Sequence, residues 1–113
     1  MSNLVHFAGS KEDLKKLVQE TAKLVVLDFY ADWCGPCKYL GKEIPKAAEK
    51  YPNVKFLKTN VDKSPEFAYE YGVDTIPQLK FFKNGVKKDP TEPIDTIVGA
   101  DIPKLYECIE RLK

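Results

Sequence analysis

The sequence predicts an α/β fold in which a central sheet is covered by helices on both faces. Helical and extended patterns alternate along the chain, which is typical of α/β domains. The stretch 24–30 is almost continuously apolar, as expected of a central strand that is covered on both sides. The length of 113 residues suits one domain with a buried core, so we expect residues 1–113 to form a single domain.

Composition narrows the class of protein. Hydrophobic residues make up 43% and charged residues 31% of the chain, as expected of a soluble globular protein. The formal net charge of +1 argues against nucleic acid or an anionic membrane as an obligatory partner. The first residues do not resemble a signal peptide, and no apolar stretch is long enough to span a bilayer. Three cysteines do not suit a disulfide scaffold, so we expect a reducing, cytoplasmic location.

The first strand is expected at Leu4–Ala8, and the first helix begins after Ser10. Ser10 and Asp13 have the spacing of a capping box. The predicted buried stripe of this helix consists of Leu14, Leu17, Val18 and Thr21. His6 lies in the first strand, where a surface or packed position is favoured over a metal site.

Lys23–Tyr30 is the next predicted strand, and a helix follows from Cys34 to about Lys50. Pro45 lies inside this helix, and its ring pushes against the carbonyl group of Gly41. We therefore expect the helix to bend at a point distant from the cysteines, with little effect on their chemistry. The apolar residues of the helix recur at helical spacing, at Cys37, Leu40, Ile44, Ala48 and Tyr51.

The second half of the chain continues the alternation. Val54–Asn60 is a predicted strand, and a short helix is capped by Ser64 and ended by Gly72. The strand Leu79–Phe82 runs into Asn84-Gly85, which is typical of a hairpin turn. The inward face of the short helix is expected to hold Phe67, Ala68 and Tyr71.

Lys87–Pro93 contains two prolines and mixed charge, which predicts an exposed loop. A tolerated insertion is favoured here over a loop that selects partners. Ile94–Val98 is the closing strand, and Asp101 caps the last helix. Cys108 lies on the apolar stripe of that helix and is interpreted as a core residue, with a regulatory or dimer-forming thiol as the alternative.

The chemistry is expected at Cys34-Gly35-Pro36-Cys37, where the central strand meets its helix. Unpaired N–H groups and the helix dipole favour negative charge at a helix N-terminus, so a cysteine there ionises readily. The second cysteine lies one turn further on the same face, so a disulfide can open and close without unfolding. This spacing beside a βαβ pattern predicts a redox motif.

Asp28 interrupts the apolar strand six residues before Cys34. Burial raises the pKa of a carboxyl group, and such a group can exchange a proton with a nearby thiol. The alternative is an aspartate at a strand end that reaches solvent. For Lys58, the alternative to a functional role is an exposed lysine on a strand.

Trp33-Cys34-Gly35-Pro36-Cys37-Lys38 resembles the active-site motif of the thioredoxin family. The resemblance covers essentially the whole chain and includes Asp28, Lys58, Thr75-Ile76-Pro77, Phe82-Lys83-Asn84-Gly85 and Val98-Gly99-Ala100. It implies the thioredoxin fold, a central mixed sheet of about five strands flanked by four helices. The sequence departs from the family pattern at two places. Lys42 occupies the position where the family usually has the proline that kinks the helix, and the connection at 87–93 is longer than usual.

The resemblance implies roles for individual residues. Cys34 would be the exposed nucleophile and Cys37 the more buried resolving thiol, joined in the oxidised state as a Cys34–Cys37 disulfide. Asp28 would accept the proton of Cys37, and Lys58 would be the partner of Asp28.

The same resemblance implies a substrate-binding surface around the cysteines. Trp33, Ile76, Pro77 and Gly99 would contact the target, with the Ile76–Pro77 bond in cis. Gly35 and Pro36 would tune the cysteine pair.

The implied activity is the reduction of disulfides in target proteins, with no bound cofactor and no metal. An NADPH-linked thioredoxin reductase would recharge a monomeric protein. Peroxiredoxin, ribonucleotide reductase and methionine sulfoxide reductase are the targets that the family suggests.

Two alternatives remain at this point. The first is a disulfide oxidase or isomerase on the same fold, although such relatives usually carry a histidine where this chain has Pro36. The second is a non-catalytic scaffold or zinc module. A structural zinc site needs about four ligands, and only His6 and Cys108 remain to complete one.

Overall fold

The computed structural model describes residues 2–113, which form five strands and four helices. In chain order these are β1 (Leu4–His6), α1 (Lys11–Thr21), β2 (Val25–Tyr30), α2 (Gly35–Lys50), β3 (Lys55–Asn60), α3 (Pro65–Glu70), β4 (Gln78–Phe82), β5 (Asp95–Val98) and α4 (Ile102–Leu112). The strands form one sheet in the order β1-β3-β2-β4-β5. The predicted central sheet of about five strands with four helices is therefore confirmed.

The sheet is mixed. β3 pairs in parallel with β1 and β2, whereas β4 pairs antiparallel with β2 and β5. β2 is thus the central strand, as its apolar sequence predicts, and every residue of it except Tyr30 is buried. None of the helices in residues 2–113 is long and apolar enough to cross a membrane.

The two faces of the sheet carry separate cores. On one face, α2 and α4 cover side chains that include Val26 of β2. On the other face, α1 and α3 cover Leu27 and its neighbours. Because alternate residues of a strand point to opposite faces, Asp28 lies on the same side as Val26, beneath α2.

The predicted N-terminal capping of the helices is confirmed for α1 but not for α3. The capping box of α1 is confirmed, because the N–H of Ser10 donates to the Asp13 carboxylate and the N–H of Asp13 donates to Ser10 Oγ. Of the predicted buried stripe, Leu14 and Val18 are buried, whereas Leu17 and Thr21 are only half-buried. Ser64 precedes α3, but its side chain makes no capping hydrogen bond, because its backbone (φ −127°, ψ 62°) is not in the extended conformation of a capping residue.

The connection 83–94 differs most from expectation. Gly85 has a φ of 86°, as a turn here requires, but regular pairing resumes only at Asp95. The prediction that Lys87–Pro93 is exposed is wrong at its centre, where Pro90 and Thr91 are buried. The reason is hydrogen bonding: the Tyr71 hydroxyl donates to the Thr91 carbonyl oxygen (2.7 Å), and Asp89 Oδ1 accepts from the N–H and the hydroxyl of Thr91 (2.9 and 2.7 Å).

Cys108 has no solvent exposure and is not part of a disulfide. Its sulfur lies 3.6 Å from Asp95 Oδ2, and burial together with that carboxylate raises the pKa of the thiol. The interpretation of Cys108 as a core residue is therefore confirmed.

Candidate active site

Two cysteines form the centre of the site. Cys34 is the N-cap of α2, separated from the central strand by residues 31–33, and it is joined to Cys37 by a disulfide with a Cα–Cα distance of 5.2 Å. The N–H of Cys37 donates to Cys34 Sγ (3.2 Å). Pro36 occupies the first turn, where an N–H would have no helical partner. This arrangement stabilises negative charge on the sulfur of Cys34 once the disulfide is reduced.

The expected difference in exposure concerns the reduced cysteines, and in the oxidised state the two do not differ. Cys34 and Cys37 are each only 4% exposed. Cys34 is covered because the chain passes over it, with the Ile76 carbonyl oxygen 3.9 Å from Cys34 Sγ. The sequence pattern placed Cys34 at the junction but did not show this overlying segment.

The rim of the site consists of Trp33, Ile76, Pro77 and Gly99, of which Trp33 is exposed, Ile76 and Gly99 are half-buried and Pro77 is buried. Trp33 is 71% exposed, and its indole N–H donates to Asp62 Oδ2 (2.8 Å). The cis bond between Ile76 and Pro77 is confirmed. The sequence analysis missed Asp62, because an acidic residue in a turn carries no local signal of its partner.

Gly99 belongs to the same rim. Its N–H donates to the Pro77 carbonyl oxygen (2.8 Å), which ties the end of β5 to the Ile76–Pro77 segment. The φ of Gly99 is 96°, and no heavy atom lies within 4 Å of where a Cβ would stand. A side chain here would be strained and would project into the open space beside the rim.

Asp28 lies beneath this surface and is 1% exposed. Among residues 2–113, neither of its carboxylate oxygens has a hydrogen-bond partner. Burial raises the pKa of Asp28 to about 7, against the opposing effect of the Lys58 charge. The predicted burial and raised pKa are confirmed, and the alternative of a solvated strand end is wrong.

Lys58 pairs in register with Asp28 across β2 and β3. The ammonium group nevertheless forms no ion pair with that carboxylate within the described chain. Instead it lies over the ring of Tyr30, with Nζ 4.6 Å from the ring centroid. Lys58 therefore acts on Asp28 through its charge and not through a direct contact, and Tyr30 is the contact that sequence reasoning missed.

A cavity of about 290 Å³ lies on the α2 side of the disulfide. Its wall includes Cys37, so it is continuous with the reactive pair. The lining residues are Tyr30, Ala31, Asp32, Cys37, Lys38, Gly41, Lys42 and Lys58.

Metal binding through the cysteines finds no support in the geometry. Across the described range 2–113, no three His, Cys, Asp or Glu side chains are placed to hold a metal ion. His6 is exposed on β1 and Cys108 is buried on α4, and neither joins the Cys34–Cys37 pair.

A mixed five-stranded sheet with a Cys-Gly-Pro-Cys disulfide at the start of α2 is the arrangement that the family resemblance implies. The family model for thioredoxin matches residues 5–105. The chain belongs to the thioredoxin family.

Individual relatives agree with this assignment. The chain is 42% identical to thioredoxin from Malassezia sympodialis over 102 residues, which cover 88% of this chain and 91% of the relative. The solved structure of Trichomonas vaginalis thioredoxin is similar with a TM-score of 0.89 and 40% identity, covering 100% of both chains. A further structure has a TM-score of 0.84 and 31% identity, covering 99% of this chain and 100% of the other. It was solved for the thiol resolving mechanism in yeast mitochondrial 1-Cys peroxiredoxin via glutathione/thioredoxin systems.

Some relatives are longer than this chain. It spans 57%, 66% and 29% of the length of three others that it matches at 36–37% identity.

Proposed function

We propose that this protein reduces disulfides in target proteins by dithiol–disulfide exchange through Cys34 and Cys37. The observation that carries the proposal is the disulfide at the N-terminus of α2, six residues after a buried carboxyl group that has no hydrogen-bond partner among the described residues. In this role the chain is an electron carrier between a reductase and its targets.

The first step is attack by the Cys34 thiolate on a sulfur of the target disulfide. A Cys34–target bond forms, the target disulfide breaks, and the released target sulfur takes up a proton. The N–H of Cys37 and the N-terminus of α2 support this step, because both stabilise the thiolate from which the attack starts.

In the second step Cys37 attacks Cys34 Sγ and releases the target in its reduced form. Cys37 must first lose its proton, and Asp28 is the proposed acceptor. A carboxyl group with a pKa of about 7 is well matched to accept a proton near neutral pH. The positive charge of Lys58 favours the ionised form of Asp28 and so prepares it as the acceptor.

The rim is the proposed docking surface for the target. Trp33 offers an exposed apolar face, Ile76 lies against Cys34, and Gly99 is tied by its N–H to the buried Pro77. An extended target segment laid along Ile76 would pair with its backbone as an added strand. Gly35 and Pro36 lie between the cysteines and would tune their reactivity.

We further propose that an NADPH-linked thioredoxin reductase recharges the Cys34–Cys37 disulfide in the cytoplasm. Candidate targets are peroxiredoxin, ribonucleotide reductase and methionine sulfoxide reductase. The peroxiredoxin proposal is supported by the yeast structure, whose subject is the resolution of a peroxiredoxin thiol. A free cysteine, Cys108, in the same chain as a catalytic dithiol is compatible with a reducing compartment.

The activity is tested by a single-turnover reaction. The protein is reduced, freed of reductant and mixed with insulin, and the new insulin thiols are counted. One disulfide of insulin should be reduced for each protein molecule, and Cys34→Ser should abolish the reaction. If the reduced wild-type protein leaves the insulin disulfides intact, the proposed activity is wrong, whichever reductase serves it.

A further inference from the structure

The cavity beside Cys37 is basic. Three of its lining residues are lysines, Lys38 and Lys42 on α2 and Lys58 on β3. Asp32 is the one acidic residue of the lining, so the cavity carries an excess of positive charge. This local excess contrasts with the formal net charge of +1 for the whole chain.

None of the three lysines of this cavity forms a direct ion pair in the part of the chain that the structure describes. The ion pairs within residues 2–113 involve Lys87, Arg111 and Lys113, and none involves Lys38, Lys42 or Lys58. Asp32 forms no ion pair there either. The ammonium groups of the exposed Lys38 and Lys42 are thus available to an anionic group from another molecule, whereas that of Lys58 lies over the ring of Tyr30 and adds only its charge.

Gly41 lines the cavity where α2 faces Lys58. A Cβ at this position would lie 3.7 Å from Lys58 Nζ, so a larger side chain would occupy the space between α2 and β3. Lys42, the next residue, is exposed and stands where the family resemblance places a proline. The third lysine of the cavity is therefore a feature of this chain.

We propose that this cavity binds an acidic side chain of the target protein, close in sequence to the cysteine that becomes linked to Cys34. The inference rests on the proposed reductase function and names its substrate class, which is disulfides flanked by aspartate or glutamate. Because Cys37 forms part of the wall, an acidic side chain near the target sulfur reaches the cavity while the mixed disulfide forms. Coulomb attraction then speeds the productive encounter, and salt weakens it.

The test uses three disulfide peptides that differ only in the residues next to one cysteine, which are Glu, Gln or Lys. The second-order rate constant for reduction by the pre-reduced protein is measured at low and high salt. We expect the Glu peptide to react fastest and the Lys peptide slowest. The Glu-to-Gln rate ratio should be roughly two- to fivefold at low salt, as for an exposed ion pair, and should approach one at high salt.

Lys42→Gln removes one cavity charge and should lower the Glu-to-Gln ratio. Lys46→Gln is the matched control, since Lys46 is an exposed lysine one turn further along α2 and outside the cavity. It should leave the ratio at the wild-type value.

The outcomes separate this inference from the proposed function. If the wild-type protein reduces all three peptides at equal rates, the cavity does not select acidic targets, although the reductase function stands. Equal loss of preference in the Lys42 and Lys46 variants would assign the effect to the charge of the helix and overturn the cavity site. If none of the peptides is reduced, the proposed function itself fails.

Discussion

At the scale of single residues, the burial of Asp28 couples the stability of the protein to pH. Its pKa is raised from the usual 3.8 to about 7 in the folded state, mainly by desolvation. The folded state therefore holds this proton more tightly than the unfolded state, so stability falls as pH rises between about 4 and 7. The linked cost above that range is roughly 4 kcal/mol.

Asp28→Asn should therefore stabilise the oxidised protein, and the gain should depend on pH. We expect similar free energies of unfolding for wild type and variant near pH 4, and a widening difference in favour of the variant up to about pH 7. Urea unfolding of both proteins across this pH range measures the difference in the free energy of unfolding. Asp32→Asn changes an exposed carboxylate and is the control. A constant gain at all pH values would contradict the raised pKa.

Lys58→Met should raise the pKa of Asp28 further, because the Lys58 charge now lowers it. If Asp28 accepts the proton of Cys37, the rate of target release should then reach half its maximum at a higher pH than in the wild type. Rapid mixing with a fluorescent disulfide substrate measures this pH. Lys55→Met, at the other end of β3, should leave the profile in place. An unshifted profile for Lys58→Met would contradict the role of the charge.

Cys37→Ser should stop the reaction at the mixed disulfide between Cys34 and the target, because the resolving sulfur is missing. The expected product is a covalent adduct on a non-reducing gel, released by added dithiol. Cys34→Ser should give no adduct. Repeated turnover by Cys37→Ser would contradict the proposed release step.

The sequence predicts the environment of a single residue correctly where only a few environments are chemically reasonable. A carboxylate in an apolar strand before two cysteines has a narrow range of explanations, and its burial was predictable. The contact between Lys58 and Tyr30 was not, because a lysine stem can carry its ammonium group to several neighbours at similar cost. The low exposure of Cys34 depends on a segment more than 40 residues away in sequence, which local pattern does not reveal.

At the scale of elements, the connection between β4 and β5 is held in place by Tyr71, just after α3. Its hydroxyl donates to the carbonyl oxygen of Thr91, and Thr91 is only 6% exposed. The sequence showed prolines and charges, which are typical of an exposed loop. It did not show that a tyrosine 20 residues away satisfies the buried backbone.

Tyr71→Phe should lower the free energy of unfolding by about 0.5–1.5 kcal/mol, since the hydrogen bond to a buried carbonyl is lost while the ring remains. Denaturant unfolding measures the change. The matched control is Tyr69→Phe, because Tyr69 is 85% exposed. Equal stabilities for the two variants would show that the hydroxyl of Tyr71 does not hold the connection.

At the scale of the whole molecule, the sheet order brings the site together from distant parts of the sequence. Asp28 comes from the central strand and Lys58 from its parallel neighbour, whereas Ile76-Pro77 precedes β4 on the other side. Alternation of helices and strands predicted the class of fold, and the family resemblance supplied the arrangement. Neither the alternation nor the resemblance predicted the basic cavity, because the cavity depends on how α2 lies against β3 near Gly41.

The direction of electron flow is the central claim, and the reduction potential of the Cys34–Cys37 pair tests it most directly. Trp33 is the only tryptophan and adjoins the disulfide, so its fluorescence in thiol/disulfide buffers should report the transition. A reductant of target proteins requires a potential below that of the glutathione couple, and this is the predicted result. A markedly more oxidising potential would contradict the proposal and favour the disulfide oxidase or isomerase alternative, and the absence of any two-electron transition would favour a scaffold.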